Sequence, residues 1–411
     1  MSAAVTGLGV LAPNGVGTGD YWRHTRAGTS GIRPITRFDA SRYPIRLAGE
    51  VRDFDPAAHL PGRLVPQTDR MTQLALVATE WALADAGLAP DAAHDFDFGV
   101  VTSASAGGLE FGQRELQKLW TQGPSTVSAY MSFSWFYAVN TGQISIRHKL
   151  RGPAAALVTE QAGGLDAVGL SRRLVADGTP VVITAGVDGA LCPMGVAGQV
   201  PAGQWSTCDD PARAYRPFDA GASGGVAGEG GAVLVIEDGA AARRRGARVY
   251  GEIAGYAATF DPPPGSDREP GLGRAAATAL RQADLVPDEI DVVLADAAGT
   301  LAGDRAEADA LEKLFGPRGV PVTAPKTMTG RLSAGAGTLD VATALLAMRD
   351  GIIPPTVNTG GDGYGHQIDL VTSLRHVPVR TALVLARGIG GFNAAVVLRA
   401  ADRRSEGMEE A

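Results

Sequence analysis

This sequence predicts an α/β fold built from two similar halves. Apolar β-type runs alternate with helical patterns along most of its 411 residues, and that alternation is typical of α/β architectures. The segment ALADAGLAPD (82–91) returns as ALRQADLVPD (279–288) with six identical positions. Each copy closes a helix pattern and leads into a strand. The repeat therefore indicates duplication of a unit of about two hundred residues, with the halves packed face to face.

The expected division lies near residue 240, giving one half at 1–240 and the other at 241–411. A basic stretch, RRRGAR, follows the last strand of the first half, and VYGEIAGYA then opens the second. The basic stretch is short and suits a solvated helix end better than a binding patch. The strands that support the two halves are VVITAG (181–186) and GAVLVIED (231–238), then TALVLARG (381–388) and AAVVLR (394–399).

Composition excludes several classes of function. The net charge of −7 argues against nucleic acid as the main partner. The two cysteines and six scattered histidines show no metal-ligand spacing and no disulfide framework. No apolar run reaches the ~18 residues that span a membrane, and MSAAVTGLGVLAPNG is typical of a strand and turn, not of a signal peptide. We expect a cytoplasmic protein without metal or cofactor.

The segment VTEQAGGLDA (158–167) predicts a strand-to-helix elbow. A β-type run ends there, two glycines follow, and an apolar helix pattern begins. Such a turn presents one side chain at a helix N-terminus, usually a serine or cysteine nucleophile. Here the candidates are Glu160 and Gln161, and neither is a ready nucleophile. Glu160 suits the helix dipole and has no evident proton-accepting partner, so we interpret it as structural.

Several segments in order resemble the β-ketoacyl synthases, condensing enzymes of the thiolase fold. They are RPFDAGASGGVAGEGGAVLV (216–235), KTMTGRLSAGAG (326–337) and ARGIGGFNAAVVL (386–398). The likeness runs from about residue 4 to 399 and implies a duplicated five-layer αβαβα architecture.

Three departures from that family matter more than the matches. Gln161 stands where the family has its nucleophilic cysteine, and Asp296 and Arg331 stand where it has its two catalytic histidines, while Lys326 is kept. This pattern resembles the chain-length factor, or ketosynthase beta subunit, of type II aromatic polyketide synthases. TEQAGGLDA and WFYAVNTGQISIRHKLRGP (135–153) are also similar to that subfamily.

These substitutions make elongation by this chain alone chemically implausible. Gln161 cannot form a thioester, Asp296 would repel an enolate, and Arg331 cannot shuttle a proton. Two alternatives stay open for Gln161: it donates a hydrogen bond that assists malonyl decarboxylation, or it fills the vacated pocket and satisfies backbone groups. Because an unpaired buried charge is costly, we expect Asp296 and Arg331 each to be ion-paired, one candidate partner being the other. We expect Lys326 to bond nearby carbonyls or carboxylates.

A helix is predicted over GGLEFGQRELQKLW (107–120), with Leu109, Gly112 and Leu116 on one face. A mid-helix glycine costs about 1 kcal/mol relative to alanine, so close packing or open space must justify Gly112. The resemblance implies that these positions gate a substrate tunnel at a subunit interface, with Phe133 capping the pocket. Their small size predicts long chains, a decaketide or longer.

The resemblance also implies partners: a catalytic ketosynthase alpha subunit in a heterodimer, and an acyl carrier protein that holds substrates as phosphopantetheine thioesters. Three adjacent aromatics, Trp135 to Tyr137, cannot share one helix face, which favours a subunit contact over core burial. Two rival functions remain, a stand-alone malonyl decarboxylase and a passive thiolase-fold scaffold. A dinucleotide enzyme is disfavoured because GLGVLAPNG lacks the G-x-G-x-x-G spacing.

Overall fold

The protein is described by a computed structural model that covers residues 2–90, 95–263, 265–360 and 365–401. A long mixed sheet runs through it. Its first-half strands, in spatial order, are β1 (Ala3–Ala12), β9 (Gly230–Asp238), β7 (Val181–Asp188), β5 (Phe98–Ser103) and β6 (Ala154–Leu157). Its second-half strands are β10 (Gly251–Phe260), β17 (Phe392–Arg399), β16 (Thr381–Gly388), β11 (Val292–Leu294), β12 (Pro321–Thr323) and β14 (Asp369–Leu370).

The two halves of the sheet share one pairing pattern. In the first half, β1–β9 and β9–β7 pair antiparallel, and β7–β5 and β5–β6 pair parallel. In the second half, β10–β17 and β17–β16 pair antiparallel, and β16–β11 and β11–β12 pair parallel. β1 and β10 join the halves by antiparallel pairing. The predicted duplication is therefore visible in the topology. The predicted division after residue 240 falls in a short helix, and the sheet continues across it.

Eleven helices lie in the described residues. They are α1 (Thr18–Arg26), α2 (Arg70–Ala86), α3 (Leu109–Gln122), α4 (Met131–Ser134), α5 (Val139–His148), α6 (Gly163–Ala176), α7 (Pro193–Gln199), α8 (Gly239–Arg244), α9 (Leu272–Gln282), α10 (Leu301–Phe315) and α11 (Gly335–Asp350). Short strands complete the chain: β2 (Gly15–Val16) beside β1, a sheet of β3 (Ile32–Pro34), β4 (Leu47–Gly49) and β8 (Ala227–Gly228), and the pair β13 (Ile352–Ile353) and β15 (Arg375–His376).

The helices and the sheet form five layers. α6 and α11 pack together at the centre, α2 covers the outer face of the first half, and α9 covers that of the second. Successive strand residues face different layers: Val182 joins the central core and Ile183 the core under α2. α11 is buried from Gly335 to Met348, as expected for a helix that is apolar all round. The predicted αβαβα architecture is confirmed.

Glycines permit the central layer to close. A Cβ on Gly164, in the first turn of α6, would lie 2.6 Å from the carbonyl oxygen of Ala334. The two helix N-termini therefore meet backbone to backbone, and no larger residue fits there. The repeat also explains a helix ending: Gly87 after α2 and Asp284 after α9 occupy equivalent positions, and both have left-handed φ angles of 65° and 52°.

Candidate functional site

The predicted elbow is present. β6 ends at Leu157, a 3₁₀ turn spans Glu160–Ala162, and α6 begins at Gly163. Glu160 has a left-handed φ of 53°, a conformation that costs on the order of 1 kcal/mol for a residue with a side chain. Its carboxylate accepts the Ile389 N–H at 3.0 Å, in the loop between β16 and β17. That bond holds the strained turn, as the structural interpretation of Glu160 predicts.

Gln161 is 2% exposed, and its carboxamide oxygen has no hydrogen-bond partner in the described part of the chain. A buried amide oxygen without a partner is unusual and costly. Gln161 is therefore enclosed at the elbow, and its carboxamide oxygen accepts from no N–H group of the described residues. The side chain has no nucleophilic atom and does not titrate in the accessible range.

Asp296 and Arg331 form a buried ion pair, which confirms the expected pairing. Arg331 Nη2 lies 3.0 Å from Asp296 Oδ1, and both terminal nitrogens bond the carboxylate. The same guanidinium also donates to the carbonyl oxygens of Asp296 (2.8 Å) and Ala297 (3.0 Å). Asp296 Oδ1 accepts the Arg387 N–H at 2.9 Å as well. The planar five-donor fork of arginine suits this crowded arrangement.

The neighbouring charges determine the protonation states of Asp296 and Arg331. Burial by itself raises the pKa of Asp296, but Arg331 and two further cations outweigh it and hold that pKa below its ordinary value. Burial lowers the pKa of Arg331, and the Asp296 carboxylate more than reverses that effect. Both groups therefore stay ionised at neutral pH, so neither can exchange a proton with a substrate.

Lys326 lies beside this pair. Its ammonium group donates to the carbonyl oxygen of Ala295 and forms an ion pair at 2.7 Å with Asp340 of α11. Both partners are of the predicted kinds. Burial raises the pKa of Asp340, and the nearby ammonium opposes that rise. Lys326 thereby links the strand end that carries Asp296 to the central helix.

Sequence reasoning missed the carboxylates that build the Asp296 loop. Glu307 of α10 is fully buried and accepts the N–H groups of Asp296 (2.7 Å) and Ala297 (2.8 Å). Asp304, one turn earlier, accepts the N–H groups of Phe218 and Gly299. The i, i+3 spacing in GDRAEADAL was the available signal, because it places both carboxylates on one helix face.

The predicted gate residues lie on α3 and α4. Only Gly112 of the α3 trio is buried, while Leu109 and Leu116 are half-buried. A Cβ on Gly112 would lie 3.5 Å from Trp135 Cβ and 3.9 Å from Met131 Cε, which is ordinary contact. A single added carbon therefore fits beside Gly112 at contact distance, so the packing there does not require a glycine.

Phe133 is half-buried against Met71, Ala104 and Val139. The aromatic run after it does not lie on a helix. Trp135, Phe136 and Tyr137 lie between α4 and α5, where the Trp135 carbonyl accepts the Gly108 N–H. They are 49%, 40% and 42% exposed, so they do not belong to the core of this chain.

Among the described residues, no group of His, Cys, Asp and Glu could hold a metal ion, and no helix has the length and hydropathy needed to cross a bilayer. Cys192 caps α7, where its sulfur accepts the Gly195 N–H. The side chains of Gln161, Asp296 and Arg331 themselves thus offer neither a thiol nor a group that exchanges a proton at neutral pH.

Comparison with known proteins places this chain in a family. The beta-ketoacyl synthase N-terminal domain matches residues 2–242, and the C-terminal domain of the same family matches 250–360. The chain belongs to the β-ketoacyl synthase family. Within it, the chain groups with the ketosynthase beta subunits of polyketide synthases, as the resemblance implied. It is 60% identical over 398 residues to the tetracenomycin polyketide synthase ketoacyl synthase beta subunit of Streptomyces glaucescens, covering 96% of this chain and 97% of that one.

Two solved structures show the same fold. The ishigamide ketosynthase/chain length factor superposes with a TM-score of 0.88 at 28% identity, over 98% of this chain and 99% of that one. A second structure contains a type II polyketide synthase acyl-carrier protein in complex with its ketosynthase, bound to the hexaketide. It matches with a TM-score of 0.86 at 25% identity, over 97% and 99% of the two chains.

Proposed function

We propose that this chain pairs with a catalytic ketosynthase and sets polyketide chain length by shaping a tunnel at their interface. The observation that carries the proposal is the buried Asp296–Arg331 ion pair, because the resemblance puts these two residues in place of the family's catalytic histidines and each uses its charge on the other. A chain of this fold without a nucleophile needs a partner that supplies the reactive thiol. The ketosynthase/chain length factor relative supports that kind of assembly.

Two surface features support a heterodimer. β6 is the last strand of the sheet, and its outer edge has no partner strand among the described residues. Such an edge is a template for pairing with another chain. Exposed apolar side chains lie on the neighbouring elements, including Ile146 of α5 and Val158 just after β6. Trp135, Phe136 and Tyr137, in the segment before α5, are also exposed, and exposed apolar side chains of this kind suit a partner contact.

The tunnel is proposed to run beside α3. Leu109 and Leu116 are only half-buried in this chain, and at Gly112 one added carbon would already touch Trp135, so a larger side chain would have to project elsewhere. A partner subunit would close over these positions, with Phe133 at the closed end. Because the gate residues are small, we propose a deep tunnel and a decaketide or longer product. The substrates would arrive as phosphopantetheine thioesters on an acyl carrier protein, in the cytoplasm, with no further cofactor.

The test compares two substitutions at one position in the complex with its ketosynthase and carrier protein. Gly112→Phe should shorten the released chains, because the ring needs the space beside Trp135. Gly112→Ala adds a single carbon at ordinary contact distance and should leave chain length unchanged. Mass spectrometry of the released chains gives the result. Unchanged lengths in a folded Gly112→Phe complex would favour the passive scaffold.

A second candidate function is malonyl decarboxylation assisted by Gln161. It is favoured by the buried Gln161 carboxamide oxygen, which no group of the described residues engages. A carboxamide not fully committed within the protein can rotate to donate a hydrogen bond to a thioester carbonyl, which stabilises the developing enolate. Gln161→Ala should then slow release of carbon dioxide from malonyl-carrier protein in the complex. An unchanged rate would leave Gln161 as a filler of the pocket.

A further inference from the structure

The start of α3 is held by a residue that belongs to another helix. Asp69 is the N-cap of α2, where its Oδ1 accepts the Met71 N–H at 3.0 Å. Its second oxygen, Oδ2, accepts the N–H of Phe111, in the first turn of α3, at 2.8 Å. One buried carboxylate therefore caps two helices at once, and it joins them at their N-termini.

α3 has no N-terminal cap of its own. Its N-cap residue is Gly108, which has no side chain to accept a bond. The turn before α3 is tightly enclosed, because a Cβ on Gly108 would lie 2.1 Å from the Ser134 carbonyl oxygen and 2.7 Å from Asp69 Cβ. The position of the first turn of α3 thus depends on Asp69 and on the segment that follows α4.

The two helices differ in how firmly they are held. α2 buries most of its residues, including the run from Met71 to Thr79, whereas α3 buries only Phe111, Gly112 and Glu115. α2 is therefore a fixed support in the core, and α3 is a surface helix attached to it. A change in the link between them moves α3, which carries the gate residues, more readily than α2.

We infer that Asp69 is a positioning residue for chain length: by capping α3 from the fixed α2, it sets the distance between the gate residues and the opposite wall of the tunnel. This inference rests on the proposed function. Asp69 touches no substrate in this account and acts only through α3. Without its bond to Phe111, α3 can shift, and the released chains become less uniform in length.

The Asp69→Ser substitution removes one of the two capping bonds and keeps the other. Serine is as good an N-cap as aspartate and can keep the Met71 bond, but its single hydroxyl cannot also reach Phe111. The matched control is Asp238→Ser, because Asp238 caps α8 through the Ala241 N–H at 2.9 Å, away from α3. Both variants, the unmodified chain and Gly112→Phe are assembled with the ketosynthase and carrier protein. Released chains are then measured by mass.

We expect Asp69→Ser to raise the proportion of chains that differ from the main length by about fivefold, the population ratio that loss of one capping bond produces. Amide hydrogen exchange should also quicken at Phe111 and Gly112. Asp238→Ser should change neither. If Asp69→Ser does not fold, Asp69→Asn replaces it, since a carboxamide oxygen can serve only one of the two N–H groups well.

The two proposals fail in different ways. If Gly112→Phe shortens the chains but the Asp69 variants keep the original length distribution, the positioning role is overturned and the gate stands. If Gly112→Phe also has no effect, the gate itself is wrong. Equal broadening in Asp238→Ser would likewise overturn the inference, because it would reflect general loosening.

Discussion

The second-half site and the first-half elbow use their polar groups differently. Asp296 and Arg331 bond each other, and the surrounding carbonyl and amide groups complete their partners. Gln161, at the elbow, keeps a buried oxygen that no described group engages, and the apolar segment near α3 faces outward. The hydrogen-bonding groups of Asp296 and Arg331 are all used inside this chain, so that site acts as structure. The elbow and the apolar segment near α3 leave groups free for a partner or substrate, so we locate the remaining function there.

The largest expected effect comes from breaking the buried ion pair between Asp296 and Arg331. Arg331→Ala leaves the Asp296 carboxylate buried and unpaired, and should lower the free energy of unfolding by roughly 3–5 kcal/mol. Arg305→Ala is the control, because its ion pair with Asp309 is exposed and worth at most about 1 kcal/mol. Chemical denaturation measures both. Similar small losses in the two variants would show that the buried pair is not structural.

A second substitution tests the outward-facing region. Replacing Phe136 and Tyr137 by alanine should weaken association with the ketosynthase by about 2 kcal/mol or more, roughly thirtyfold, if they are central contacts. The fold of this chain should be unaffected, because both rings are exposed. Phe260→Ala, an exposed aromatic in the second half, serves as control. Calorimetric titration that shows equal affinity for all three proteins would remove this surface from the interface.

The pH dependence of the free energy of unfolding separates the contribution of Asp69, at the start of α2, from those of Asp304 and Glu307 in the second half. Burial raises the pKa of Asp69 to about 7, so between its unfolded value and pH 7 the folded chain binds a proton that the unfolded chain has lost. Stability therefore falls as pH rises through this window, by at most about 1.4 kcal/mol per pH unit for this proton. Asp69→Asn should reduce that slope. Asp304 and Glu307, whose pKa values burial raises to about 6 and 7, keep part of it.

The smallest effect is expected at Gly112. Gly112→Ala should stabilise the chain by up to about 1 kcal/mol, because alanine is the better helix former and its Cβ meets Trp135 at 3.5 Å. Thermal unfolding of the isolated chain measures it. A lower midpoint would mean that the space beside Gly112 is already filled, and would weaken the assignment of a gate there.

The α/β class and the duplication were predictable from patterns in the sequence, and the family resemblance supplied the five layers and the positions of Asp296 and Arg331. The repeated segment predicted two similar halves, and its equivalent residues Gly87 and Asp284 both end a helix with a left-handed φ. The Asp296–Arg331 pair followed from the cost of burying either charge alone. The elbow followed from the order of strand, turn and glycines.

The contacts that were missed depend on how helices and loops pack against one another in three dimensions. The i, i+3 spacing puts Asp304 and Glu307 on one helix face, but only the fold places that face under the Asp296 loop. Asp69 caps a helix 42 positions away, which no spacing rule indicates. The aromatic run at Trp135 has helical neighbours on both sides, yet its backbone contacts with Gly108 keep it out of either helix.

The central claim is that this chain contributes shape and not covalent chemistry. Its most direct test is the intact mass of each subunit, isolated from a complex stopped while chains are being extended. We predict that the ketosynthase partner carries the acyl adduct and that this chain keeps its unmodified mass. A ketide attached to this chain would contradict the account.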